Sequence, residues 1–333
     1  MREATRVLSC EGAQACEAAV REAACLLEQG RVVALPAETV YGLAADALNP
    51  EAVARIFEAK ERPFFDPLIC HVPDEGWVEK LADVDGPRRA VVRALTERFW
   101  PGPLTLVVPR RRCVPDLVCA GLDTVAIRMP AHPVFQAVLR AFQKPLAAPS
   151  ANRFGRISPT AAGHVREELN GRIPLILDAG ASPLGIESTI LRVEVTGVRI
   201  LRSGPLTRES LLTTVPVLED LSSNHDEARP EAPGRLSSHY APRTPLVLEN
   251  PASIEMARRP ELGLLAWKQP HAGFAGMEVL CGEGDMRKAA SRLFGAMREL
   301  DRGGWKAIVA ELAPESGLGV AINDRLRRAA AKG

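Results

Sequence analysis

The sequence has no Cys-x-x-Cys pair, no long apolar run and almost no net charge. Its cysteines, seven in all and therefore odd in number (Cys10, Cys16, Cys25, Cys70, Cys113, Cys119 and Cys281), indicate neither a disulfide framework nor a zinc knuckle, and reduced thiols are expected. The opening stretch MREATRVLSCEG lacks the apolar core of a signal peptide, and nowhere do about 18 uncharged apolar residues run together, so a cytoplasmic location is expected. With 42 Lys and Arg against 41 Asp and Glu, a net charge of +1, no global field draws in nucleic acid. Any polyanion site must be local, and an aromatic content of 5% leaves few stacking platforms for bases. What is present is ordinary for a folded chain: 46% apolar and 25% charged residues, over a length of 333 that accommodates two domains with a core each.

From residue 12 to 205 helical and strand-like patterns alternate. Ala-rich 13–28 predicts a helix closed by Gly30, RVVALP a buried strand, 50–60 a helix and 67–72 a strand. Next come a helix over 87–99, strands in LTLVVP and TVAIRMP, a helix over 133–142, a strand in PLAAPSAN, a helix over 160–169 and a strand in IPLILDAG. STILRVEVTGVRILRSG reads as a hairpin turning at Thr196-Gly197, which predicts a mixed sheet. Residues 216–243 change character, Ser, Pro, Gly and charge replacing aliphatic residues as in a linker. Beyond it PLVLEN, LGLLAW, MEVLCGEG and KAIVAEL predict strands, with helices over 252–259 and 284–302 and a last amphipathic helix near 319–331. The expected organisation is α/β (α+β), with a first domain over 1–215, a linker over 216–243 and a small α/β domain over 244–333.

Several stretches carry chemistry. VVALPAETVYGLAADAL (32–48) runs a buried strand into Pro36, polar Glu38 and Thr39, then Tyr41-Gly42. Polar groups at the end of a strand are where open sheets place ligands, and they also simply close turns. In EAKERPFFDPLICH, Lys60 and Arg62 meet a chain break at Pro63. Arg offers a planar fork and Lys a compact charge, a pairing used on phosphates, while cations at a helix C-terminus equally complement the macrodipole. His71 ends an apolar strand, the setting of a packed histidine as much as of a base.

PLAAPSANRFGRISPT (145–160) is more specific. Ser150 and Asn152 supply a hydroxyl and an amide, Gly155 permits close backbone approach, and Ser158 precedes Pro159-Thr160, a helix start. Such groups before a helix suit a phosphate or carboxylate; capping accounts for one hydroxyl, but not for Ser150 and Asn152. GIESTILRV places Ser188 and Thr189 where a loop enters a strand, with Arg202 at the far end of the hairpin beside Ser203-Gly204. Arg128, a charge inside TVAIRMP, needs a partner, either a ligand carboxylate or an internal acid.

Taken in order, P-x-E-T-V-Y-G-L, K-x-R-P-x-x-x-P-L-x-x-H, T-V-A-x-R, S-A-N-x-x-G-x-x-S, E-S-T-I and R-S-G closely resemble the Sua5/YrdC family, the L-threonylcarbamoyladenylate synthases. The resemblance covers essentially the whole chain, and SSHYAPRTP with GLGVAINDRLRRAA is similar to the two-domain Sua5 branch. It implies a twisted mixed parallel and antiparallel YrdC-like sheet with a smaller Rossmann-like C-terminal domain. It also implies condensation of L-threonine, bicarbonate or CO2 and ATP, with Mg²⁺, into threonylcarbamoyl-AMP and pyrophosphate. Downstream transferase proteins then move the group to adenosine 37 of tRNAs reading codons that begin with A; a direct tRNA contact is compatible with this, and no membrane is involved. By matching positions, Lys60, Arg62, Asp66, Thr124, Ser150, Asn152, Ser158 and Arg202 are implied to face ATP, Lys60 and Arg62 as catalytic groups. Thr39, His71, Arg128, Ala148 and Ser188 are implied to hold threonine or its carbamate, and Tyr240 to close over the nucleotide. The chain departs from the family pattern at Ala37 (usually Thr), Glu61 (usually Gly), Asp66 (usually Asn) and Ser238; Asp66 sets a carboxylate against phosphate unless Mg²⁺ or Arg62 offsets it.

No Ser-His-Asp set or nucleophilic Cys presents itself, so positioning and electrostatics are the expected chemistry. Carbamates fall apart in water, which makes the linker the expected lid. Two rivals remain. The carbamoyl-transferring YrdC-like module of hydrogenase maturation proteins carries an acylphosphatase segment and zinc-binding cysteine pairs, neither of which is seen in this sequence. A non-catalytic RNA-binding protein would use the same cations on phosphates.

Overall fold

The computed structural model describes residues 4–219, 230–234 and 236–331, so 220–229 and Arg235 of the expected linker lie outside the described residues. Ten strands form one sheet: β1 (Arg6–Ser9), β2 (Val33–Leu35), β3 (Gly42–Asp46), β4 (Ile69–His71), β5 (Leu104–Pro109), β6 (Thr124–Arg128), β7 (Leu146–Ala147), β8 (Leu175–Asp178), β9 (Thr189–Val193) and β10 (Val198–Arg202). Their spatial order is β1-β8-β2-β3-β7-β4-β6-β5-β9-β10, with both parallel and antiparallel neighbours. The helices along this part are α1 (Ala13–Glu28), α2 (Pro50–Lys60), α3 (Gly76–Leu81), α4 (Gly86–Phe99), α5 (Asp116–Cys119), α6 (Pro133–Phe142), α7 (Ala162–Leu169) and α8 (Arg208–Leu212). A second, wholly parallel sheet of β11 (Leu246–Leu248), β12 (Leu262–Ala266), β13 (Gly276–Val279) and β14 (Ala307–Ala310) runs in the order β11-β14-β12-β13, packed by α9 (Met286–Asp301) and α10 (Leu318–Ala330).

The expected mixed sheet is present, and the hairpin at Thr196-Gly197 is the antiparallel pair β9 and β10. Three expectations change in extent. PLAAPSAN yields only the two-residue β7, because Pro145 and Pro149 on either side have no N–H to give a ladder. The helix expected over 252–259 is replaced by two 3-10 turns, Pro251–Ser253 and Arg259–Glu261, since Pro260 breaks any continuing ladder. Neither Ser158 nor Thr160 caps a helix: α7 begins after Ala161, with no side-chain cap bond.

α6 and α1 cover one face of the large sheet through Val20, Leu27, Phe135 and Leu139, while α2 and its neighbours cover the other through Val53, Ile56 and Phe57. Each such fully buried side chain contributes about 1.5–3 kcal/mol. The third core, around Leu293, Phe294 and Met297 of α9, also takes in Val40, Ile157, Ile186 and Tyr240, so three loops of the first part and the linker are anchored from behind by the second. Gly185 shows how close that packing is: at φ +67 a Cβ there would lie 2.4 Å from the Ser291 Cα of α9.

Candidate active site

Strand register brings the motif residues together. His71 and Arg128 are partners on the parallel pair β4 and β6, Thr105 opposes Arg128 on β5, Gly42 bridges to Ser150, and Arg202 opposes Ile190 two residues beyond Ser188. Alternate residues of a strand share a face, so the ends of β2, β4, β6, β7, β9 and β10 deliver their polar groups to one cavity. Thr39, Arg62, His71, Arg128, Ala148, Ser150, Ser188, Arg202 and Tyr240 all line it.

α2 places the first cations. Asn49 caps it by accepting from the Glu51 and Ala52 amides, Pro50 starts it, and it ends with Lys60, whose charge suits a helix C-terminus. Glu61 then takes a left-handed turn (φ 55) of the kind that glycine favours, its carboxylate held by Arg153 and by Arg172 at 2.6 Å. Lys60 does not reach the cavity wall. Its ammonium donates to the carbonyls of Ser150 (2.6 Å) and Asn152 (2.5 Å), so it fixes the loop that carries those residues. Burial first, and then the nearby Arg62 charge, pull its pKa well below the usual lysine range.

Arg62 is buried and donates to the Pro67 carbonyl (2.9 Å) and pairs with the Asp66 carboxylate (2.8 Å). Asp66 is wholly buried, and burial raises its pKa against the opposing pull of Arg62 and Lys60. Arg202 spans the hairpin end, donating to the Ser188 carbonyl (3.0 Å) and hydroxyl (3.1 Å) and to the Pro233 carbonyl (3.1 Å). Ser188 in turn shares a 2.8 Å hydrogen bond with the Thr105 hydroxyl. Arg128 has an internal acid for a partner: it donates to Glu38 (2.5 Å), to the Thr39 hydroxyl (3.0 Å) and to the Gly102 carbonyl (3.1 Å). Burial alone would raise the Glu38 pKa, but Arg128 outweighs it and holds the carboxyl below its ordinary value.

His71 donates from Nδ1 to the Ile69 carbonyl (3.2 Å) and stacks on Phe135, ring centroids 5.0 Å apart. Burial, helped by Arg128, pushes its pKa down to about 3, so it is neutral at pH 7. A histidine that stays neutral when folded but takes a proton when unfolded at its ordinary value of about 6.5 destabilises the fold as pH falls between those two values. At pH 5 the His71 contribution to that loss is about 2 kcal/mol. The urea midpoint should therefore fall from pH 7 to pH 5, and fall less for His71→Gln; equal slopes for both proteins would contradict the buried neutral ring.

Besides Lys60 and Asp66, three more of the expected residues stand apart from the cavity wall. Asn152 donates from its amide to the Arg153 and Arg156 carbonyls and so shapes its own loop. Ser158 donates to Glu187 at 2.5 Å. Thr124 begins β6, opposite Pro109, roughly 13 Å along the strand from Arg128. The cavity also contains groups the motifs did not single out: Glu187 before Ser188, Phe135 of α6, and Pro233, Gly234 and His239 of the linker. Gly234 (φ +77) has no room for a side chain, since a Cβ would lie 2.6 Å from the Tyr240 hydroxyl.

Residues 25–204 match the Sua5/YciO/YrdC family, described as "Telomere recombination", and residues 206–331 match the family described as "Threonylcarbamoyl-AMP synthase, C-terminal domain". The chain belongs to the Sua5/YrdC family. It is 40% identical to the threonylcarbamoyl-AMP synthase of Bacillus subtilis, over 93% of this chain and 92% of that one. It is 38% identical to the threonylcarbamoyl-AMP synthase of Pyrococcus abyssi, over 93% of both. The crystal structure of P. abyssi Sua5 complexed with L-threonine superposes with a TM-score of 0.85 at 36% identity, covering 98% of each chain. Both sheets of this Sua5/YrdC member therefore have a counterpart in a solved structure. No helix of the described residues is long and apolar enough to cross a membrane.

Proposed function

We infer that this protein is a threonylcarbamoyl-AMP synthase, joining L-threonine, bicarbonate or CO2 and ATP into threonylcarbamoyl-AMP with release of pyrophosphate. The observation that carries this is the convergence of three buried guanidiniums, Arg62, Arg128 and Arg202, on one cavity in a chain of this family. The P. abyssi relative holding L-threonine supports the amino-acid half of the reading. In it, residues 1–215 form the catalytic domain, 216–243 the linker and 244–333 the C-terminal domain, in a cytoplasmic protein whose product is consumed by tRNA-modifying transferases.

Arg128 and Thr39 receive the threonine carboxylate and hydroxyl, with Ser188 and neutral His71 beside the amine and Ala148 leaving room for the side chain. The amine attacks CO2 with loss of a proton, or bicarbonate with loss of water; the resulting carbamate oxygen attacks the α-phosphate in line, and pyrophosphate leaves. Arg62, Arg202 and Ser150 take the charge growing on the phosphates, in a site where buried donors are worth more than in water. Lys60, Asn152 and Ser158 act one step removed by fixing the loop that carries Ser150, Thr124 lies farther out, and Asp66 sets the Arg62 fork. No three acidic, His or Cys side chains among the described residues gather to hold a metal. Magnesium would therefore be held chiefly by phosphate and water, and would neutralise phosphate charge.

The cavity is about 50 Å³, room for one or two water molecules, and Pro233, Gly234, His239 and Tyr240 form one of its walls. In this reading the wall withdraws to admit the substrates, and its return shields the α-phosphate, the carbamate and the anhydride formed from them from water. Tyr240 holds φ at 64, so Tyr240→Gly keeps the backbone shape while removing the ring. That variant should recover at least roughly tenfold less adenylate per pyrophosphate released; an unchanged ratio would show that the ring does not seal the site. The activity itself is tested by incubating the protein with ATP, Mg²⁺, bicarbonate and threonine, without tRNA, and detecting the mixed anhydride by mass spectrometry. Pyrophosphate release that ignores threonine, or none at all, would overturn the assignment.

A further inference from the structure

Helix α10 belongs to the second sheet, yet one of its side chains touches residues that line the site of the first. Ile322, Leu326 and Ala329 mark its apolar face, and Arg325 lies among them at helical spacing, 0% exposed. A cation on such a face is costly unless paired, and a leucine there would be buried without that penalty. Arg325 donates from Nε to the Glu187 carboxylate (3.1 Å) and from Nη1 to the Ser203 carbonyl (2.7 Å) and Asp324 (3.0 Å), with its guanidinium carbon 5.5 Å from the Tyr240 ring centroid. Ser203 belongs to the R-S-G stretch, Glu187 precedes Ser188, and Glu187 and Tyr240 line the cavity.

The next turns of the same helix hold the linker. Arg328 donates to the Leu236 carbonyl (2.6 Å), its own carbonyl accepts from the His239 amide (3.2 Å), and the Ser238 hydroxyl donates to the Ala331 carbonyl (3.2 Å). Glu187 would otherwise set a carboxylate in the wall of a cavity built for phosphates. Both of its oxygens are instead occupied, by Ser158 at 2.5 Å and by Arg325.

We propose that Arg325 is a positioning residue through which the C-terminal domain prepares the nucleotide site: it turns the Glu187 carboxylate away from the phosphates and seats Tyr240 against the cavity. The proposal rests on the adenylate-forming reading given above. It also fits the tight packing of α9 on Gly185, two residues before Glu187.

The test compares wild type, Arg325→Met and the double variant Arg325→Met/Glu187→Gln in steady-state pyrophosphate release, with amide hydrogen exchange of the segment 236–241. Arg325→Met should raise KM for ATP at least roughly tenfold, with a smaller change in KM for threonine. Removing the now unpaired carboxylate in the double variant should recover most of that loss, and an ATP KM that stays raised in the double variant would overturn the part assigned to Glu187. Exchange of the His239 and Ala241 amides should quicken in Arg325→Met while that of β12 and β14 stays the same. A folded Arg325→Met protein with ATP KM and 236–241 exchange within twofold of wild type would overturn the proposal. Should the methionine variant not fold, Arg325→Lys keeps the charge and loses the fork. Its ATP KM should rise and its 236–241 exchange should quicken in the same way, and wild-type values of both would equally overturn the proposal. The exchange arm does not depend on turnover, so a wild type that makes no adenylate counts against the activity alone, while unchanged exchange counts against Arg325.

Discussion

Replacing Arg62 should lower threonine-dependent pyrophosphate release about 10²- to 10³-fold, the usual effect of removing one donor aimed at charge that grows in the transition state. The single variant Arg62→Ala confounds this with stability. It leaves Asp66 as a wholly buried carboxylate without its 2.8 Å partner, and breaking a buried pair in this way costs about 3–5 kcal/mol. Arg62→Ala/Asp66→Asn removes both charges, with an amide of nearly the same size as the carboxylate at position 66. The double variant should melt close to wild type and still be slow. If it regained wild-type turnover, Arg62 would be a structural cation that exists to satisfy Asp66.

The second large effect is at Arg128, and it falls on the other substrate. Gly102, Thr39 and Glu38 each take one N–H from a different nitrogen of the guanidinium, while Arg128 still lines the cavity. Losing a buried, hydrogen-bonded charge partner costs about 2–5 kcal/mol in binding, at least roughly thirtyfold in affinity. Arg128→Gln/Glu38→Gln, again neutral as a pair, should therefore raise KM for threonine by that factor and change KM for ATP by less than about threefold. Equal changes for both substrates would mean that Arg128 holds the sheet rather than the amino acid.

These two arginines also show how far the sequence could be read. A charge inside TVAIRMP announces that something must pair with it, and both candidate partners named for Arg128 have a place: Glu38 satisfies it within the fold, with the cavity open beside it. Short-range signals serve well where the chain's own periodicity decides the element, as in α1, α2 and α6. They fail for β3, whose GLAAD is small and unbranched and becomes a strand only because β2 and β7 flank it, and for β1, an edge strand that pairs with β8 across more than 160 residues.

Site residues are legible as polar types at strand ends, yet their orientation is not. Lys60 and Arg62 look alike in K-x-R. The left-handed turn at Glu61 sends one into the loop behind the cavity and the other to its wall. Glu187 escapes a reading by motif because E-S-T draws the eye to its hydroxyls. Arg325 escapes it because a terminal helix rich in arginine reads as solvated; the available signal is its phase, in step with Ile322, Leu326 and Ala329.

The most direct measurement is a crystal structure of the protein with L-threonine and a non-hydrolysable ATP analogue. The account predicts both ligands in one cavity, the triphosphate within hydrogen-bonding distance of Arg62, Ser150 and Arg202, and the threonine carboxylate on Arg128. A nucleotide seated elsewhere, for example in the cleft lined by Arg31, Arg55 and Arg172 on the outer side of α2, with Arg62 and Arg202 still bonded only to their own chain, would contradict it.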